Sequence, residues 1–102
     1  MKVFDWDPEN NLKLRVERGI SFEEIVFHLL AGDLVDVAEH PDQRTYPGQK
    51  IFKILIDGYV FLVPFVENET MIFLKTIIPS RKATKQFLSG EPVRNRKDLS
   101  VK

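Results

Sequence analysis

The amino-acid sequence predicts an α+β domain in which an antiparallel sheet of about four to five strands carries two N-terminal helices and a short C-terminal helix. Two capped helical segments precede residue 33, four strand-like runs follow between residues 34 and 78, and a capped helical segment comes last. Helices grouped at the ends of a strand meander indicate this class. A chain of 102 residues suits one domain, predicted at residues 1–88, with a mobile tail at residues 89–102.

The first strand is predicted at residues 2–6, and two helices follow it. Asp7 suits the N-cap of the first helix, Pro8 suits its first position, and Gly19 is expected to end it. Ser21 and Glu24 form a capping box that begins the second helix. Apolar residues at positions 22, 25, 26, 29 and 30 form one helical stripe, which ends at Gly32.

The sheet is predicted from residue 34 onwards. Residues 34–39 form a strand near an edge, and residues 40–48 form a loop. Strands at residues 51–57 and 59–66 are joined by the hairpin sequence Asp57-Gly58. The second of them is apolar on both faces, which favours a central position, and Pro64 indicates a bulge or an unpaired position. The last strand spans residues 70–78, and Ser80 caps a helix at residues 81–88.

The formal net charge of zero hides two opposed halves. Residues 1–45 carry 5 Lys/Arg against 10 Asp/Glu, whereas residues 46–102 carry 10 against 5. A polyanionic partner is therefore compatible with the composition. The chain has no Cys and 2 His, which argues against disulfides, cysteine nucleophiles and a metal site, and we expect no cofactor. No secretory signal or membrane span is evident, so a cytoplasmic protein without a membrane partner is expected.

The most informative segment is the start of the last helix. Arg81 and Lys82 occupy a first turn that prefers acidic residues, so a bound anion would turn their unfavourable position into a favourable one. The hydroxyl groups of Ser80 and Thr84, together with Lys85, complete a candidate phosphate site. The alternatives are a solvated basic helix end or pairing with the acidic half of the chain.

Lysines in the strands and polar residues in the long loop are further candidates. Lys53 and Lys75 could form a cationic floor on one sheet face, although strand lysines also protect sheet edges. His40 is a candidate for general acid–base catalysis, or a surface residue. Arg44 and Tyr46 suit a phosphate clamp and base stacking.

Three segments together carry a resemblance to a known family: FDWDP at residues 4–8, RGISFEE at residues 18–24, and II followed by RKAT at residues 77–78 and 81–84. They resemble the BrnT-type toxins of bacterial type II toxin–antitoxin systems. The resemblance implies a RelE-like fold, metal-independent RNA cleavage that inhibits growth, and neutralisation by a small cognate antitoxin. DNA would be contacted only through that antitoxin.

Trp6, Arg81, Lys82 and Thr84 match the pattern of that family. Arg18 stands where the family has His, Thr76 stands where it has Arg, and Pro79-Ser80 replaces Ser-Ala. If those family residues serve cleavage, activity is altered or absent in this chain.

The leading hypothesis is a ribonuclease in which the RNA 2′-hydroxyl attacks the adjacent phosphate. Arg81 and Lys82, aided by Lys53 or Lys75, would stabilise the developing charge. His40, Glu39 or a lysine would accept the proton. The alternative is a catalytically inactive binding module that acts only in complex with an antitoxin-like partner, and a small partner-binding domain unrelated to toxins comes third.

Overall fold

The computed structural model describes residues 2–90, so the tail predicted at residues 89–102 lies outside the described part from residue 91 onwards. The described chain forms three helices and one six-stranded sheet. In chain order the elements are β1 (Val3–Asp5), α1 (Pro8–Arg18), α2 (Phe22–Leu30), β2 (Leu34–Glu39), β3 (Lys50–Ile56), β4 (Tyr59–Glu67), β5 (Met71–Leu74), β6 (Ile78–Pro79) and α3 (Arg81–Leu88).

The sheet is mixed, with the strand order β1-β5-β4-β3-β2 and with β6 paired to β4. The central position of β4 and the edge position of β2 confirm the sequence-based predictions. The prediction of an antiparallel sheet is wrong in one place, because β1 pairs in parallel with β5 and sets Val3 opposite Met71. No hairpin joins these two strands, which are separated by most of the domain, so no local turn dictates their relative direction.

The last strand, expected to be continuous, is divided into β5 and β6. Residues 65–67 of β4 pair with β5, and residues 61–62 pair with β6. Pro64 lies between the two pairings and has no N–H for the ladder, while its carbonyl accepts the N–H of Lys75 at 2.8 Å. Pro64 nevertheless pairs in register with Ile51 of β3. The proline therefore interrupts one neighbouring ladder and leaves the other intact.

The predicted helix ends and the hairpin are confirmed. The carboxylate of Asp7 accepts the N–H of Glu9 at 3.1 Å, and Gly19 ends α1 in the left-handed conformation with φ of 69°. The capping box of α2 is complete. Asp57 and Gly58 both have positive φ, 52° and 78°, as a two-residue turn matched to the strand twist requires.

The two faces of the sheet differ in what covers them. One face, the core face, buries Phe52, Ile54 and Ile56 of β3 against α1 and α2. Trp6 stacks on Phe22 there, with ring centroids 5.7 Å apart. The next residues along β3 point to the opposite face, because side chains alternate along a strand. We call this opposite face, where α3 packs against β4, the α3 face.

Candidate functional site

An open groove of about 450 Å³ lies on the α3 face. Residues of β3 and β4 form its floor, the end of β2 forms one wall, and the first turns of α3 form the other. Lys53 reaches the groove because it alternates with the buried residues Phe52 and Ile54. The groove-lining residues are Ala38, Glu39, Pro41, Ile51, Lys53, Leu62, Ser80, Lys82, Ala83 and Gln86.

Hydrogen bonds to β4 hold the start of α3 in place. The N–H of Ser80 donates to the carbonyl of Val60 at 3.0 Å, and the N–H of Val60 donates to Oγ1 of Thr84 at 2.8 Å. Thr84 also donates its hydroxyl proton to the carbonyl of Ser80 at 2.7 Å. Oγ of Ser80 accepts the N–H of Ala83 at 3.0 Å. The structure therefore places the Thr84 hydroxyl inside the fold and uses the Ser80 hydroxyl as the helix cap.

The exposed side of α3 is basic. Arg81, Lys82 and Lys85 line a second open groove of about 660 Å³ together with Gln86 and Ser89. The first turn of α3 contains no acidic residue. Lys82 and Gln86 line both grooves, so the two grooves adjoin along this helix. Cations and the positive end of the helix dipole thus face the same space.

One carboxylate lies beside the lysine of the groove floor, and a second acidic residue borders the groove. Lys53 lies opposite Asp36 in the register of β2 and β3, and Glu39 lines the same groove as Lys53 and Lys82. From the sequence, Glu39 is one of three alternative proton acceptors. In the pairing of β2 with β3 it lies opposite Lys50, so its side chain starts from the core-face side of the strand, at the border of the groove.

Lys75 lies with an aromatic ring of β5. Its ammonium group is 5.5 Å from the ring centre of Phe73, and its carbonyl accepts an amide N–H of Asn10 at 2.8 Å. Two strand lysines were predicted to form a cationic floor. Of these two, Lys53 lines the groove and Lys75 does not.

The loop after β2 has a defined conformation. Nδ1 of His40 accepts the N–H of Asp42 at 3.0 Å, and its ring lies 4.4 Å from that of Tyr46. The hydroxyl and backbone of Thr45 hold the pKa of Asp42 below its usual value. Tyr46 remains 42% exposed, and Arg44 is exposed on the same loop. An aromatic pair is thus presented next to Pro41, which lines the groove.

Gln86 was not foreseen as a groove residue. Its spacing of four residues from Lys82 places both on one side of α3, and this was the only available signal. Arg18, one of the positions that depart from the family pattern, donates a guanidinium N–H to the carbonyl of Ile77. It joins the end of α1 to the segment that precedes β6.

Comparisons with protein-family models, curated proteins and solved structures find no match to this chain. Residues 2–90 contain no group of three His, Cys, Asp or Glu residues that could hold a metal ion. No helix within this part of the chain is long and apolar enough to cross a membrane.

Proposed function

We propose that this protein is a metal-independent ribonuclease that acts as the toxin of a type II toxin–antitoxin system, with a RelE-like fold and a cytoplasmic location. The observation that supports the proposal is the groove that Lys53 and Lys82 line at the start of α3, with Glu39 at its border on β2. The order of the motifs along the chain and their likeness to BrnT-type toxins supply the toxin context.

The phosphate of single-stranded RNA would lie against the basic side of α3. Lys82 and Arg81 supply positive charge, and the first backbone N–H groups of a helix favour an anion. Charge builds up on the phosphate oxygens as the fifth bond to phosphorus forms. Fixed cations in this position stabilise that charge more than the ground state, which is how they accelerate the reaction.

The nucleophile is the 2′-hydroxyl of the RNA, which requires no nucleophile from the protein. We assign its proton to Glu39, because this is the acidic residue among those that line the groove. The new bond joins the 2′-oxygen to phosphorus, the bond to the 5′-oxygen breaks, and the leaving 5′-oxygen takes a proton from water. The products are a 2′,3′-cyclic phosphate and a 5′-hydroxyl.

The aromatic pair of His40 and Tyr46 supplies a surface on which a base can stack, next to the end of the groove at Pro41. Nδ1 of His40 is occupied by the N–H of Asp42, so the ring is held in one orientation. Stacking on such a surface tolerates any base and contributes about 1–3 kcal/mol per base.

The test uses the purified full chain, a chelator, and a fluorescent single-stranded RNA beside its all-deoxy analogue. We expect cleavage of the RNA alone, since the deoxy strand lacks the nucleophile. Glu39→Gln is expected to slow cleavage by about 100-fold or more with RNA binding retained. Lys82→Ala is expected to weaken RNA binding. It should also reduce the slope of the logarithm of the binding constant against the logarithm of the salt concentration by about one.

Lys13→Ala is the matched control, because Lys13 is an exposed lysine on α1, on the core-face side of the sheet. It is expected to leave binding and cleavage unchanged. In bacteria, induction of the wild type should arrest growth and degrade RNA, whereas Arg81→Ala/Lys82→Ala should not. Intact RNA and equal growth with both proteins would refute the catalytic proposal and favour the inactive binding module.

A further inference from the structure

An acidic and apolar surface lies at the edge of the sheet where α2 meets β2. α2 and the turn after it carry Glu23, Glu24 and Asp33, and residues 19–43 contain no Lys or Arg; of the six Asp/Glu in this stretch, Asp36 lies opposite Lys53 on the α3 face. Four large apolar side chains of this stretch are exposed: Phe27 (66%), Leu30 (77%), Leu34 (39%) and Val37 (43%). We call these four residues the α2–β2 patch.

The four side chains lie on the same side of the sheet. Phe27 and Leu30 are three residues apart, so they neighbour each other on α2. Leu34 pairs with Ile54 and Val37 pairs with Phe52, and paired residues share a face, which here is the core face that α2 covers.

The turn between the two elements is held firmly. The N–H of Asp33 donates to the carbonyl of His28, and the N–H of Leu55 donates to the carbonyl of Asp33, each at 3.0 Å. Nδ1 of His28 lies 2.7 Å from Oδ2 of Asp33. The exposed side chains therefore belong to a fixed surface.

We infer that the α2–β2 patch is a docking surface for a basic amphipathic segment of another protein. Contiguous exposed apolar side chains with a charged rim are characteristic of interaction sites. A second copy of the same surface would bring acidic residues against acidic residues, which is unfavourable, whereas lysine and arginine in the partner would be attracted. The proposed ribonuclease activity is not required for this inference.

The partner docks through its side chains. β2 is an edge strand, and such edges can receive an added strand. Val37 of this edge strand pairs with Phe52 of β3 on one side. Its N–H already donates to the carboxylate of Asp36 at 2.9 Å. An added strand would have to displace that bond, whereas an amphipathic helix laid on the patch would leave it in place.

The test measures the binding of a labelled synthetic amphipathic peptide of leucine and lysine to the full chain by fluorescence anisotropy. Phe27→Ser/Leu30→Ser is expected to weaken binding by at least about tenfold, the loss typical of central interface residues. Leu12→Ser/Val16→Ser is the matched control, because these two exposed apolar residues of α1 are flanked by Lys13 and Arg15. It is expected to leave binding unchanged.

Added salt should weaken binding of the leucine–lysine peptide, and a leucine–glutamate peptide should bind at least about tenfold more weakly. Equal binding of the two peptides, or equal losses in the two double variants, would overturn the inference. Sedimentation equilibrium of the chain alone should show a monomer. A dimer that Phe27→Ser/Leu30→Ser dissociates would assign the patch to a second copy and would likewise overturn it. Thermal melts followed by circular dichroism verify that both variants fold.

Discussion

Removal of the Thr84 hydroxyl should destabilise the fold, because that hydroxyl receives the N–H of Val60. In Thr84→Val the side chain keeps its branched shape, but the Val60 N–H loses its acceptor. Val60 is fully buried, so water cannot replace the bond. The carbonyl of Ser80 keeps a donor, since it also accepts the N–H of Thr84 at 3.1 Å. One buried group is therefore left unsatisfied.

The cost of one unsatisfied buried donor is about 1–3 kcal/mol. A loss of about 2 kcal/mol corresponds to a fall in Tm of about 8–16 °C for a domain of this size. Urea unfolding and thermal melts of the wild type and of Thr84→Val measure both quantities. Thr84→Ser keeps the hydroxyl and should recover most of the loss.

Thr70→Val is the matched control, since Thr70 is exposed and its hydroxyl bonds only to Asn68, at 3.3 Å. Its free energy of unfolding should change by less than about 0.5 kcal/mol. A Thr84→Val protein with the stability of the wild type but without RNA affinity would refute the reasoning. In that case the hydroxyl would serve the ligand instead of joining α3 to β4.

Two further predictions concern single interactions. Ser21→Ala removes the hydroxyl that accepts the N–H of Glu24, so the free energy of unfolding measured in urea should fall by about 1 kcal/mol; an unchanged value would contradict the role of the cap. Glu67 accepts from Lys2 at 2.8 Å and from Lys50 at 3.5 Å, and the Lys2 ammonium is the main cause that holds the pKa of Glu67 below 4.5. A carboxylate whose pKa is lowered by folding stabilises the fold at pH values above its unfolded-state pKa. This stabilisation is lost as the pH falls through the folded-state pKa. Glu67→Gln should therefore be less stable than the wild type by about 0.2–1 kcal/mol at neutral pH, and the difference should vanish well below pH 4.5. Urea unfolding across this pH range measures it, and a difference independent of pH would contradict the assignment.

The helix ends and the hairpin could be predicted because each depends on residues close together in the chain. Ser21 caps a helix three residues away, and Asp57-Gly58 forms a turn from its own backbone preferences. The parallel pairing of β1 with β5 could not be predicted in this way, since no connecting turn encodes it. The division of the last strand into β5 and β6 could not be predicted for a similar reason. Pro64, which interrupts the pairing, lies in β4, the strand next to them.

The candidate site likewise combines features that the sequence predicts with features that only the fold provides. The basic character of α3 is evident in the sequence, because Arg81, Lys82 and Lys85 follow one cap within two turns. Placement of Lys53 with these residues required the correct face of β3, and the absence of Lys75 from the groove lining required the fold. Thr84 matched a family motif, yet its environment shows a hydroxyl that bonds within the protein.

The sequence by itself determined the capped helices, the central apolar strand and the separation of acidic from basic residues along the chain. These features follow from local hydrogen bonding, from apolar periodicity and from charge, which act between near neighbours. Only the tertiary structure decided that Glu39, Lys53 and Lys82 share one groove. It also decided that the acidic stretch leaves Phe27, Leu30, Leu34 and Val37 exposed on one side. The physical reason is that strand pairing and helix packing join residues far apart in the chain, and burial of the shared core selects which face each of them occupies.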